Sequence, residues 1–286
     1  MTIALLMLAA SLGLATESSS PEWPYCGNVE HYPGDAWGKP AVRPGWNAEA
    51  LKSARSYFDS LDSAAVMVVH RGHLIAGWGD VEDRYDMASL RKSVLSALYG
   101  RLVTQGSVDL EKTLADLGIE ESDRPLSQAE KRATVRDLIS ARSGILRSAH
   151  YEMGGWKRLK SALTEWASSE HGQSFLPSGQ TWLYNNWDFN VAAVALERQA
   201  GIRTGPAFAQ YVAAPLGMQD FRAGDVTYVG NESYAERRMG NLSDHPAYMF
   251  TMSTRDIARI GVLYLGCGQW DGKPLIQEKF VLDSIR

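Results

Sequence analysis

Hydrophobic spacing divides the chain into a short β-rich part and a longer helical part. Leu51, Ala54, Phe58 and Leu61 recur at helical intervals behind Asn47, a good capping residue, so a helix is predicted over 47–62. Ala65-Val66-Met67-Val68-Val69-His70 and His73-Leu74-Ile75-Ala76-Gly77-Trp78 are apolar runs on either side of Arg71-Gly72, which predicts a two-stranded hairpin. A further helix is expected from Ser89 to about Thr104, stopping at Gly106. Beyond it the pattern is mostly helical. Ser127 with Glu130, and Ser253 with Asp256, have the spacing of helix-start capping boxes. Trp156, Leu159, Leu163 and Trp166 form a stripe expected to face a core. No internal repeat is visible.

The polar residues add chemistry to two of these places. Ser89 and Lys92 are three residues apart at a helix start, so their side chains share a face. A serine hydroxyl needs a base beside it to act as a nucleophile, and a lysine serves once burial or neighbouring charge leaves it partly neutral. The helix start also favours the negative charge that develops when a serine attacks a carbonyl. The plainer reading is a capping serine and a solvated lysine. Downstream, Tyr184 and Asn186 follow the turn cluster Pro177-Ser178-Gly179-Gln180 and are placed on a loop before a helix over 189–199. A tyrosine beside a lysine can relay a proton, and an asparagine can orient both a substrate amide and the lysine. Here the plainer reading is a loop aromatic and a capping Asn186.

Taken together and in this order, these residues resemble the serine β-lactamase and penicillin-binding-protein superfamily, in its branch of class C β-lactamases, family VIII esterases and 6-aminohexanoate-oligomer hydrolases. Val135-Arg136-Asp137-Leu138-Ile139 with Ser143-Gly144, Ala214-Pro215-Leu216-Gly217-Met218, Met252-Ser253-Thr254-Arg255-Asp256 and Gln269-Trp270-Asp271-Gly272-Lys273 agree, so the likeness runs from about Leu51 to the C-terminus. The resemblance implies an α/β fold with an antiparallel sheet flanked by helices and a mostly helical subdomain. It also implies a serine hydrolase acting through an acyl-enzyme, with Ser89, Lys92 and Tyr184 catalytic and Asn186 substrate-binding. The substrate would be a small-molecule ester, amide, β-lactam or D-alanyl peptide, with no cofactor and no metal. A third family motif, a Lys-Thr-Gly type strand, is not recognisable after Lys273, so the sequence reads as truncated at its C-terminus with the last sheet strands missing. A catalytically inactive relative that binds peptide or peptidoglycan stays open as the other reading.

Composition narrows the partners. A net charge of −4 without a basic run argues against nucleic acid. Residues 3–15 form an apolar run too short to span a bilayer, ending in Gly13-Leu14-Ala15 with small residues at the two positions a signal peptidase inspects, and a polar start follows near Thr16. A signal peptide over 1–15 and an exported, periplasmic or secreted chain of 16–286 are expected, with no membrane span afterwards. The two cysteines, Cys26 and Cys267, can pair in an oxidising compartment or stay free. No Gly-x-Ser-x-Gly elbow, phosphate loop or metal-ligand spacing occurs.

Overall fold

The computed structural model describes residues 27–152, 154–171, 176–233 and 243–285. The expected signal segment, Cys26 and the Trp156 side chain lie outside the described set. Two compact units form: one comprises the chain up to Tyr85 with Leu216–Asp220 and the segment from Met252, the other Asp86–Pro215 with Phe221–Thr251. Among the described residues no helix is long and apolar enough to cross a membrane.

In the first unit, β1 (Ala65–His70) and β2 (His73–Gly79) pair antiparallel with His70 opposite His73. Both turn residues, Arg71 (φ 51°) and Gly72 (φ 87°), are left-handed, which matches the twist of a two-residue hairpin. A Cβ on residue 72 would lie 1.7 Å from the His31 carbonyl oxygen, so the close approach requires glycine. Helix α1 (Ala48–Asp59) is capped by Asn47, whose Oδ1 accepts the Ala50 N–H at 2.9 Å. Its expected apolar face is only partly covered: Leu51 and Phe58 are half-buried, and Ala54 and Leu61 are exposed.

The Ser253–Asp256 pair does open a helix in this unit, Thr254–Leu265, with Ser253 Oγ accepting the Asp256 N–H at 3.2 Å. The buried Asp256 carboxylate in turn accepts the N–H groups of Gln219 and Asp220 at 2.8 and 2.9 Å. Cys267 is disulfide-bonded.

The second unit is built round α2 (Arg91–Thr104). Val94, Leu95, Ala97, Leu98 and Tyr99 are buried on several sides of it, the pattern of a central helix rather than a surface one. Helix α5 (Asn186–Ala200) packs beside it and against the short α3 (Val135–Ile139), and the Tyr99 hydroxyl donates to the Ala192 carbonyl at 2.6 Å. Strand β3 (Val226–Val229) pairs antiparallel with the start of β4 (Ala247–Ser253), Val226 opposite Phe250. Neither strand was foreseen, because the downstream chain reads as helical. β4 is buried along almost its whole length, so Ala247-Tyr248-Met249-Phe250 shows no alternation to announce a strand. Phe208, Phe221 and Phe250 form an aromatic cluster with ring centroids 4.8–6.1 Å apart.

Two further expectations need correction. The Ser127–Glu130 capping box forms reciprocally, but it opens only the single 3₁₀ turn Glu130–Arg132. The stripe on α4 (Gly154–His171) is not a core face: Leu159 and Trp166 are exposed, whereas Leu163 packs on a small cluster of Leu146, Ala167 and Leu176. Helical spacing aligns such residues, but only a partner element can bury them.

Gly144 supports that small cluster. It has φ +75°, and an added Cβ would meet the Leu176 carbonyl oxygen at 2.0 Å, while its own carbonyl accepts the Leu176 N–H at 2.8 Å. Gly106 has the same handedness (φ +77°) and open space around it. Gly106→Ala should therefore cost only the left-handed strain, about 1–2 kcal/mol. Gly144→Ala should cost clearly more, because backbone must move. Urea unfolding of both variants checks this; equal losses would refute it.

Candidate active site

Ser89 lies in one 3₁₀ turn, Ala88–Leu90, that leads into α2. The turn is held at its start. The Met87 N–H donates to the Phe250 carbonyl of β4 at 2.9 Å, and the Ala88 N–H donates to Asp86 Oδ1 at 2.8 Å. Ala88 has φ 42°, a left-handed conformation uncommon for alanine. Such conformations persist only where the surroundings over-determine them. The result is an exposed Ser89 on a buried support, with Met87, Arg91 and Lys92 all buried around it.

The second pair arrives from the start of α5. Asn185, rather than Asn186, is the helix cap: its Oδ1 accepts the Asp188 N–H at 2.9 Å. Asn186 is the first helical residue, which corrects its expected loop position and excludes the plain capping role. Its side chain is thereby free to turn inward. Asn186 Nδ2 donates to the Tyr151 carbonyl, and Oδ1 accepts from Lys92 Nζ at 2.8 Å.

All four sequence-predicted residues meet. Lys92 Nζ lies 3.3 Å from Ser89 Oγ, bonds the Tyr184 hydroxyl, and donates to Asn186 Oδ1. The Tyr184 hydroxyl lies 2.8 Å from Ser89 Oγ. The solvated-lysine reading fails, since Lys92 is 8% exposed. The Lys92 amine also sits 4.4 Å from the Tyr184 ring centre and 5.1 Å from that of Phe189. Burial pushes its pKa down to about 7, the neighbouring Arg91 charge adds to the effect, and Glu152 opposes it.

Glu152 and Arg91 are the residues that motif reading passes over. Glu152 is buried and pairs with Lys160 at 2.7 Å. Nothing in the spacing of His150-Tyr151-Glu152 signals this, because the approach to Lys92 is tertiary. Tyr151 itself has φ 58° and is 37% exposed. With its carbonyl bound to Asn186, it stands beside the Ser89–Lys92–Tyr184 cluster.

The floor beneath is polar and tightly bonded. Asp188, fully buried on the first turn of α5, accepts the Ser143 hydroxyl at 2.5 Å and so ties the 141–146 segment to the helix that carries Asn186. Burial raises the Asp188 carboxyl to about 7, against its hydrogen bonds from Ser143 and Asn185. A carboxyl raised in this way binds a proton in the folded chain that the unfolded chain has already released. Its contribution to stability is therefore fullest below about pH 4 and falls as pH rises toward 7. Asp188→Asn should remove this decline, so that the variant gains on the parent, by a few kcal/mol at most, between pH 4.5 and 7.5. Denaturant unfolding at several pH values measures it; parallel pH profiles for the two proteins would refute the assignment.

Comparison with known proteins gives the family and the fold. The family model described as Beta-lactamase matches residues 54–277. Solved structures of similar fold include a protein assigned as a 6-aminohexanoate-dimer hydrolase from Bacillus anthracis, with TM-score 0.57 and 20% identity over 90% of this chain and 68% of that one. A penicillin-binding protein homologue from Caulobacter crescentus aligns with TM-score 0.53 and 16% identity over 84% of this chain and 75% of its own. An octameric penicillin-binding protein homologue from Pyrococcus abyssi aligns with TM-score 0.53 and 14% identity over 83% of this chain and 59% of its own. At these identities the likeness is one of fold. A search of curated protein sequences finds no match.

Proposed function

Because this chain belongs to the beta-lactamase family, we propose that it is a serine hydrolase that forms an acyl-enzyme on Ser89 with an ester or amide substrate. The observation that carries the reading is the closed set of contacts among Ser89 Oγ, Tyr184 OH and Lys92 Nζ. Four residues from two segments, 92 and more positions apart, meet through their polar ends. A merely structural cluster would not leave its serine exposed.

The geometry supports a relay. The Tyr184 oxygen is nearer to Ser89 Oγ than the lysine is, 2.8 against 3.3 Å. As Ser89 attacks the carbonyl carbon, its proton passes to the Tyr184 oxygen while the Tyr184 proton passes to the neutral Lys92 amine. Tyrosine stays neutral overall, and lysine is the final base. The resulting ammonium keeps three oxygen neighbours, including Asn186 Oδ1 at 2.8 Å. Collapse of the tetrahedral intermediate returns the proton to the leaving group by the reverse path. A water then takes the place of the leaving group and attacks the acyl carbon as the same pair accepts its proton; the bond from that carbon to Ser89 Oγ breaks, the proton returns to Ser89, and the acid is released. No cofactor enters any step. The substrate is a small-molecule ester, amide or β-lactam, with the ester the easiest to acylate from.

A fluorophosphonate probe should label the protein at Ser89, as read by peptide mass spectrometry. Ser89→Ala should abolish labelling. Ser93→Ala, on the exposed side of α2, should leave it unchanged. Tyr184→Phe should slow labelling by about 10²–10⁴-fold, the usual worth of a positioned proton carrier. Labelling that persists in Ser89→Ala would refute the nucleophile.

A further inference from the structure

Arg91 is fully buried, immediately before Lys92 in the chain. Other buried arginines of this protein make more hydrogen bonds, although Arg259 Nε also lacks a partner among the described residues. Arg147 pairs with Glu130 at 2.9 Å and also reaches the carbonyls of Arg124 and Pro125. Arg259 donates to the carbonyls of Pro33, Gly34 and Leu216. Among the described residues Arg91 makes one hydrogen bond of good geometry, Nη2 to the neutral Asn190 Oδ1 at 3.2 Å, with the Tyr248 hydroxyl as a looser polar neighbour. Its Nε and Nη1 have no partner among the described residues. Its guanidinium lies 4.4 Å from the Tyr248 ring centre and 5.9 Å from that of Tyr151. No carboxylate pairs with it among the described residues.

A guanidinium cannot release its proton in a protein. Arg91 and Lys92 are consecutive and both buried, so in this poorly hydrated region their repulsion is relieved only through the lysine. Leaving two N–H groups unbonded costs stability, and such a cost persists where it serves the site.

We propose that Arg91 is a positioning residue for the relay: its permanent, buried and carboxylate-free charge keeps the Lys92 amine in the neutral form that can accept the serine proton. This rests on the hydrolase reading above, but it concerns the resting state of Lys92 and can be measured without turnover. The groups around the pair are few. From its own segment Lys92 faces Ser89 and Arg91, from the α5 side Tyr184, Asn186 and Phe189, and from the 150–152 segment Glu152. Arg91 faces Tyr248, Tyr151 and Asn190. Among the described residues Glu152 is the carboxylate that opposes the shift of Lys92, and it is already engaged by Lys160, while Asp86, which acts with Arg91 on Tyr151, accepts the Ala88 N–H.

The structural alternative is that Arg91 only braces Asn190, whose Nδ2 in turn donates to the His150 carbonyl at 3.2 Å. Three variants of the full chain separate the two roles. Arg91→Met removes both charge and hydrogen bond, Arg91→Gln removes the charge and keeps a donor, and Asn190→Ala removes the brace and keeps the charge. The readout is the titration of the Lys92 amine, followed by NMR with lysine labelled at Cε and assigned through Lys92→Arg. Both Arg91 variants should shift the midpoint upward by about one unit or more. Asn190→Ala should lower the melting temperature and leave the midpoint in place. Phosphonate labelling at pH 6.5 should fall about tenfold in Arg91→Gln and recover at pH 9. An unmoved midpoint in Arg91→Gln, or an equal shift in Asn190→Ala, would overturn the proposal. Failure of wild-type protein to label at Ser89 would instead overturn the hydrolase reading, with the NMR midpoints still deciding the role of Arg91.

Discussion

The site depends on one buried amine. Lys92 Nζ has three oxygen neighbours, from Ser89, Tyr184 and Asn186, and little water to solvate a charge. Each of the other arrangements serves that contact. The strained Ala88 turn presents Ser89 one helical turn from the lysine. Asn185 takes over capping, which releases Asn186 to reach the amine. Asp188 and Ser143 lock the start of α5, from which Tyr184 and Asn186 come. A lysine of ordinary basicity would hold these oxygens equally well but could not accept a proton near neutrality. The combination of burial and an adjacent fixed cation is what converts a structural contact into a candidate base.

This also explains where the unit spends stability. Among the described residues Arg91 has unbonded N–H groups and Asp188 has no cationic partner in hydrogen-bond reach, and Ala88 and Tyr151 adopt left-handed backbone. All four lie within or beside the same cluster. Compensation comes from the apolar shell of α2 and α5, where Leu98, Leu102, Val191, Ala192 and Leu196 are fully buried. Concentrating strained and desolvated groups at one place, inside a well-packed frame, is the expected physical signature of a working site.

Local features of the fold were legible in the sequence. The hairpin turn was, because Arg71-Gly72 fixes it within two residues, and so was the start of the Thr254–Leu265 helix, because Ser253 caps it directly. The four candidate residues were legible because the spacing of each pair is set by one helical turn or one loop. What stayed hidden is tertiary. The buried strand Ala247–Ser253 carries no alternation, and Leu159 and Trp166 of the α4 stripe stay exposed. Arg91 stood in plain view between Ser89 and Lys92, yet its weight comes from Tyr248 and Asn190, distant in the chain. Glu152 acts on Lys92 from across a loop for the same reason.

The central claim is that the neutral form of Lys92 drives attack by Ser89. The pH dependence of the Ser89 acylation rate with an activated ester tests it most directly. The account predicts a rate that rises with pH through an acid limb centred near 7, the value to which burial and Arg91 bring the lysine. An acid limb centred near 4, where carboxylates titrate, or near 10, where an ordinary lysine does, would contradict it.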